Sequence, residues 1–518
     1  MPNYLSPGVY VEEVSSGSKP IEGVGTAVAA FVGFAEKGPT NTPVLVTNWT
    51  QFTQAFGQFV PGAYLAGAVY GYFLNGGGAA YVVRVGDAPS DGAAGANGSA
   101  DAAPTAHLPA AGGGRRTALV ARLRDDAVVG AEGVTVEVAD GTESAETFRI
   151  VVSRDGQPVE TFDNLTLRKG ARNVVTVVAT ESRVITLEEV KGATLAGLAR
   201  GTVSLTRPAT PAVPVAAVAP EAYVGDASAR TGFAGLEAID DVTMLAVPDL
   251  MSAFQAGLID LEGVKAVQLA MIAHCELMAD RVAILDTPPG LNAQQVKQWR
   301  VEVTGYDSKH ATMYWPWIKV MDPVAGKPVF QPPSGYLAGV WARNDATRGV
   351  HKAPANEVLR GVVSLEYGLT RGEHDQLNPV AVNCIRAFPG QGIRVWGART
   401  LSSDPEWRYL NVRRLFNYVE KSILLGTNWV VFEPNDAKLW DSVKRTVTMF
   451  LRGVWRDGAL FGTTPGDAFF VKCDAENNPA ESRDQGVLNV EIGIAPVKPA
   501  EFVVFRLSQF ADGGGVSE

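Results

Sequence analysis

The chain has 518 residues and a mass of 54.9 kDa, with 46% hydrophobic and 19% charged residues and a formal net charge of -10. At roughly 100–200 residues per domain this corresponds to three or four globular domains, enough to bury a core without disulfides or metals. The acidic balance argues against nonspecific nucleic-acid binding by the whole surface. The three cysteines, Cys275, Cys384 and Cys473, have neither zinc nor redox spacing and fit a reduced compartment.

No apolar stretch approaches the roughly 20 residues of a membrane helix. The longest, Ala27 to Ala35, is interrupted by Gly33. The opening Met1-Pro2-Asn3-Tyr4 lacks a charged segment followed by an apolar run, so no secretory signal is expected. The expectation is a protein assembled in the cytoplasm, reaching the outside only by lysis.

Along the chain, Pro7 to Val14 reads as a short strand, set apart from the first apolar run by the soft linker Ser15 to Pro20. By itself such a strand most often folds back as an edge of its own sheet. Residues 24–36 form that apolar, β-leaning run. Trp49 to Phe56 and Leu65 to Leu74 read as helices, the second stopped by Gly76-Gly77-Gly78 before the strand Ala80 to Val85. A phosphate-cradling loop has the opposite order, strand then glycines then helix.

From residue 88 the composition shifts to Ala, Gly, Asp and Ser, and 88–116 reads as a loose connection. Short β-runs come next at Val134 to Val138, Phe148 to Val152 and Val174 to Val178, punctuated by Asp140-Gly141 and Asp155-Gly156, as in a small antiparallel sandwich. A second soft stretch, Pro208 to Pro220, closes this insert. Val242 to Asp249, a helix over Gly263 to Ala279 and the strand Arg281 to Asp286 form a βαβ unit with parallel strands. Two further helices are predicted near Trp407 to Leu425 and Ala437 to Trp455, and a last strand over Glu501 to Leu507.

Chemistry-bearing patterns are sparse. Asp249 and Asp286 end parallel strands, where α/β enzymes place ligands; the plainer role is capping the turns beside Pro248 and Pro288. The histidines His107, His274, His310, His351 and His374 lack the spacing of a zinc protease, and His274 sits in an apolar helix. Neither a nucleophile elbow nor a Walker loop is present. No catalytic residue, cofactor site or metal site is therefore predicted.

The helix Ala437 to Trp455 is more informative. Leu439, Trp440, Val443, Val447, Phe450, Leu451, Val454 and Trp455 make one apolar stripe, and Lys444, Arg445 and Arg452, with Lys438 and Arg456 at the ends, lie opposite. A cationic face on an acidic chain is either solvated or a docking surface for an acidic partner.

Several stretches together resemble the tail sheath proteins of contractile phages and related bacterial contractile injection systems. They are Tyr4-Leu5-Ser6-Pro7-Gly8-Val9-Tyr10-Val11-Glu12-Glu13, EGVGTAVAAFVGFAEKGP at 22–39, PSGYLAGVWARNDATRGVHKAPAN at 333–356, LNPVAVNCIRAFPGQGIRVWGARTLSSDPEWRYLNVRRLFNY at 377–418, GTNWVVFEPNDAKLW at 426–440 and IAPVKPAEFVVFR at 494–506. The likeness takes in residues 1–86 and 223–510 and leaves out the insert. Phage and injection-system sheaths share these motifs, and the C-terminal half looks most like the latter.

The resemblance implies an α/β (α+β) multidomain core with extended N- and C-terminal strand arms, to which the β-runs and soft boundaries add an inserted β-rich, sandwich-like domain. The corresponding divisions are 1–20 (arm and linker), 21–87, the outer insert 88–222, 223–376, 377–500, and 501–518 (C-terminal arm and tail). It implies a structural protein rather than an enzyme: stacked six-subunit rings around an inner tube, contracting to drive the tube through an envelope. The partners implied are further copies of the chain, joined head to tail, the inner tube protein, and baseplate and terminal cap proteins, without nucleic acid, cofactor or membrane insertion. The arms, which in the family complete neighbouring sheets, would here be Val9, Tyr10, Val11 and Val14 at one end and Phe502, Val504 and Phe505 at the other. Lys438, Lys444, Arg445, Arg452 and Arg456 are the expected tube-facing residues. The insert is expected to project outward. The competing readings are an α/β enzyme using Asp249 or Asp286, and an adhesion module carried by the insert.

Overall fold

The computed structural model describes residues 20–86, 219–323 and 326–506, and, within the insert, 105–109, 117–124, 134–144, 147–154, 157–168, 170–189 and 198–205. The chain divides into two compact units, Met1–Ala88 with Pro214–Glu518, and Pro89–Val213.

The larger unit is built on a sheet of nine strands among the described residues. In chain order these are β1 (Val28–Gly33), β2 (Val44–Val46), β3 (Ala79–Arg84), β4 (Met244–Ala246), β5 (Val282–Asp286), β6 (Ala311–Trp315), β7 (Glu357–Val358), β8 (Val382–Phe388) and β9 (Gly392–Val395). Their order across the sheet is β7-β9-β8-β6-β5-β4-β1-β3-β2. The run from β8 to β3 is parallel, and antiparallel strands close both edges. Both faces are covered, so neighbouring residues of one strand enter different cores. Ala29 and Phe31 face one side and Ala30 and Val32 the other; Val282 and Ile284 likewise part from Ala283 and Leu285. This is why β1 and β5 read as continuous apolar runs rather than alternating ones.

The predicted helix α1 (Trp49–Phe56) forms with its expected bounds, α2 (Leu65–Asn75) runs one residue past its expected end, and Gly76 ends it in a left-handed conformation (φ 115°). The helix α3 (Leu261–Met278) joins β4 to the parallel β5. On the other face α2 packs against α4 (Ser334–Arg348) through glycines. A Cβ on Gly339 would lie 2.7 Å from Asn75 Cβ and 3.0 Å from Tyr72 Cα.

Strand order reverses between β1 and β4, the position where open α/β sheets leave a ligand crevice. Here the chain fills it. The Asp249 carboxylate, fully buried beyond the end of β4, accepts the backbone N–H of Phe34 (2.7 Å), of Leu65 (3.2 Å) and of Tyr64. It does not cap its own turn, as the sequence suggested, but ties β1 to the start of α2 across the sheet. Asp286, at the end of β5, accepts from Ser334 N (3.0 Å) and Ser334 Oγ (2.6 Å) and so caps α4.

The chain continues into α5 (Leu410–Gly426), α6 (Ala437–Arg456) and the antiparallel hairpin β10 (Phe469–Lys472) and β11 (Glu491–Ile494), which share one apolar cluster. Asp436 starts α6 by accepting from Leu439 N (2.9 Å).

Among its described residues the insert unit has two antiparallel sheets around a common apolar core. One holds Gly201–Ser204, Val134–Asp140, Phe148–Arg154 and Gln157–Leu165; the other holds Thr105–Pro109, Thr117–Leu123 and Ile185–Glu189. Two expectations fail here. Residues 105–109 form a strand inside the segment read as a loose connection, paired to Thr117–Leu123. Val174–Glu181 is a helix, not a strand. Asn173 caps it from Val175 N and Thr176 N, both 3.1 Å, and Val174 and Val178, four residues apart, bury one face. Capping and packing outweigh the strand preference of β-branched residues.

Two outcomes are expected. Gly339→Ala forces α2 and α4 apart and should lower stability by about 1–3 kcal/mol. Gly453→Ala, on the exposed face of α6 with open space around it, should raise stability by up to about 1 kcal/mol. Urea denaturation of both variants checks the pair.

Burial pushes the Asp249 carboxyl up to about 7, against the pull of its three N–H donors. The unfolded value is about 3.9. The folded chain thus holds a proton that the unfolded chain releases, so this group's contribution to stability falls as pH rises through that window and is level above it. Asp249→Asn lacks the titration. The stability gap between wild type and variant should therefore narrow from about pH 5 to about pH 8, measured by urea midpoints.

Candidate assembly surfaces

The C-terminal segment changes character at a single residue. The Glu501 carboxylate accepts from Arg399 Nε (2.9 Å) and NH2 (2.6 Å), Asn378 Nδ2 (2.9 Å) and Tyr409 OH (3.2 Å). Burial alone would raise its pKa, but these donors hold it below the ordinary glutamate value. Beyond it, residues 502–506 form no regular element, and Phe502, Val504 and Phe505 are 73%, 75% and 84% exposed. The strand expected over Glu501 to Leu507 is therefore not formed within this chain across the described residues 501–506. A strand needs an edge to pair with, and among the described residues these have none.

At the other end Val9, Tyr10, Val11 and Val14, and the linker up to Lys19, lie outside the described residues. The described chain starts at Pro20 and runs along α5. Ile21 packs on Gly426, Val24 N donates to Ser422 Oγ (3.1 Å), and Thr26 Oγ1 donates to Asp345 Oδ2 (2.6 Å). Arg414 grips the same Asp345 through two bonds (2.9 and 2.6 Å) and donates to Thr26 O (3.0 Å).

Among the described residues the strands β10 and β11 pair only with each other, and just past β11 Leu460 bridges Pro496 while Phe461 N donates to Ala495 O (2.7 Å). The inner side of the hairpin packs through Phe469 on the cluster beneath α6, while Phe470 and the preceding Phe461 are exposed. On α6, Leu439, Trp440, Val443, Val447, Leu451 and Val454 are buried and Phe450 and Trp455 half-buried, whereas Lys438, Lys444, Arg445, Arg452 and Arg456 are all exposed. Asp441 and Met449 interrupt the cationic face. Helical spacing alone was enough to place these residues.

The residues of the enzyme reading are committed elsewhere. Asp249 and Asp286 are both fully buried, burial pushes both up to about 7, and each carboxylate is occupied by donors of its own chain. His274 and His310 are pushed down to about 4 by burial, and His274 packs on Phe233. Among the described residues no group of three or more metal-binding side chains is arranged to hold an ion, and no helix is long and apolar enough to cross a membrane. Sequence reasoning missed the Glu501 socket and the Arg414–Asp345–Thr26 junction. Their members are scattered over more than a hundred residues each, and no local pattern joins them.

The profile described as "Phage tail sheath protein central domain" matches residues 233–401, and that described as "Phage tail sheath C-terminal domain" matches 402–510. A prophage major tail sheath relative from Pseudomonas aeruginosa is 28% identical over 249 residues, 47% of this chain and 61%, under two thirds, of its own length. The tail sheath protein of Burkholderia phage BcepMu is 25% identical over 97% of this chain and 96% of that one. Among solved structures, the anti-feeding prophage helical sheath in its contracted state superposes with a TM-score of 0.58 at 23% identity, covering 98% of this chain and 99% of that one. At that identity the superposition shows the fold. The two profiles together span residues 233–510, more than half of the chain, and the chain belongs to the phage tail sheath family.

Proposed function

We propose that this chain is the structural subunit of a contractile sheath, polymerising as stacked six-membered rings around an inner tube and contracting to drive that tube through a target envelope. The observation that carries the reading is the unpaired end: Phe502, Val504 and Phe505 stand in solvent beside a root that is firmly bonded. The hairpin β10–β11 is the acceptor in a neighbouring copy, extended by strand addition at its free edges. Each added backbone hydrogen bond contributes about 0.5–1.5 kcal/mol net, and each buried Phe or Val side chain about 1.5–3 kcal/mol. A few residues per arm are therefore enough to hold a neighbour. Val9, Tyr10, Val11 and Val14 act in the same way from the N-terminus.

Such exchange is head-to-tail, and a head-to-tail contact that does not close grows as a helix. The arms tether subunits whose bodies shift between two packings, so contraction runs on energy stored at assembly and requires no nucleotide. The superposed anti-feeding prophage sheath is in a contracted state, and a related solved structure is that particle's baseplate. That likeness supports further copies of this chain and a baseplate as partners; the reading adds a terminal cap and an inner tube whose outer wall is acidic. Lys438, Lys444, Arg445, Arg452 and Arg456 face that wall. Assembly takes place in the cytoplasm, with release of the particle by lysis.

Electron microscopy of the purified chain, with and without its tube protein, tests the reading. Striated hollow sleeves are expected, and compact monomers under both conditions would remove its support. Phe502→Asp combined with Phe505→Asp should abolish sleeves while leaving monomer melting unchanged. Reversal of Lys444, Arg445 and Arg452 to Glu should leave the monomer folded and weaken co-sedimentation with the tube, most at low salt; unchanged co-sedimentation across salt would assign the tube contact elsewhere.

A further inference from the structure

The Glu501 socket is more elaborate than a loose chain end requires. Its donors come from three separate places: the turn at Asn378, the segment after β9 at Arg399, and Tyr409 at the start of α5. Arg399 is itself held from several sides. Its N–H donates to Asn383 Oδ1 (2.8 Å), and its carbonyl accepts from Thr312 Oγ1 (2.9 Å) and Asn383 Nδ2 (2.8 Å). Its NH1 donates to Asn378 O (2.9 Å). Asn383 lies on β8 and Thr312 on β6, both fully buried in the nine-stranded sheet. Just upstream, Asn411 Nδ2 donates to Val497 O (3.0 Å). A pull on the C-terminal arm therefore enters the middle of the sheet through one carboxylate.

The other arm is rooted on the same helix. Val24 and Ile21 meet Ser422 and Gly426 in the last turns of α5, whereas Tyr409 stands at its first. At about 1.5 Å per residue the two roots are about 20–25 Å apart along one rigid rod. Desolvating an ion pair contributes little to net stability, and among the described residues nothing after Glu501 packs on the body. What the pair supplies is position.

We propose that Glu501 is the fixed anchor of the C-terminal arm, and that α5 couples it to the root of the N-terminal arm, so that both arms of a subunit leave from constant points while neighbours move. Its purpose rests on the sheath reading; its test does not. In the full-length chain a nitroxide is placed at Ala500→Cys, an exposed site; the native cysteines are buried and stay unlabelled. The label should be restrained in the parent, mobile when Glu501→Ala is added, and intermediate with Glu501→Gln, which keeps one acceptor. Glu501→Ala strands the Arg399 charge and should lower monomer melting, whereas at temperatures where that monomer is still folded the concentration needed for sedimentable sleeves should rise about tenfold or more. A label equally restrained in parent and Glu501→Ala would overturn the anchor whether or not sleeves form. So would sleeves that form at the parent's concentration from a folded Glu501→Ala monomer, because the contact would then serve the fold alone. A parent chain that forms no sleeves sinks the sheath reading, and the nitroxide spectra still decide the anchor.

Discussion

The buried pair of Arg414 and Asp345, each 4% exposed, is the contact on which the larger unit depends. Two parallel hydrogen bonds join guanidinium to carboxylate, the Trp341 ring lies 4.9 Å from the guanidinium carbon, and Thr26 bonds to both partners. The pair thereby fastens the descent of the N-terminal segment, the central helix α4 and the C-terminal helix α5 at one point. Replacing either partner alone would strand a desolvated charge, a loss of about 3–5 kcal/mol. Apolar side chains could supply as much burial, but they would not fix the rotation and register of three separate segments in the same way.

The nine-stranded sheet shows how a fold that serves enzymes elsewhere can serve as a scaffold. Its reversal point is occupied by Asp249, and Gly33 leaves no Cβ to obstruct that carboxylate. A side chain that spends its acceptors on the backbone N–H groups of Phe34, Tyr64 and Leu65 stiffens the junction of β1, β4 and α2 and leaves no acceptor for a substrate. Stiffness suits the proposed role of a subunit that moves as a body.

The exposed apolar residues are concentrated in the C-terminal part. Leu424, Leu425, Val431 and Phe432 cluster on the bend between α5 and α6, and Phe461 and Phe470 flank the hairpin. Phe432 is fully exposed and has φ 68°, a backbone region that a bulky side chain enters only at a cost. Such surface on a chain of net charge -10 is expected where contacts are completed by other molecules, alongside the unpaired segment after Glu501.

Much of this was legible along the chain. Helical spacing located α1, α2 and α6 and separated the cationic face of α6 from its apolar one; apolar runs located β1 and β5; and the family motifs covered most of the larger unit. These are properties of neighbours in sequence, governed by side-chain period and turn chemistry, which a linear reading contains. The conversion of Val174–Glu181 to a helix, the strand at 105–109, the donors around Asp249 and the socket around Glu501 were decided only in three dimensions. Each depends on which distant groups arrive at a buried polar atom or an apolar face. A carboxylate's role is set by the donors that replace its water, and those donors are assembled by the fold.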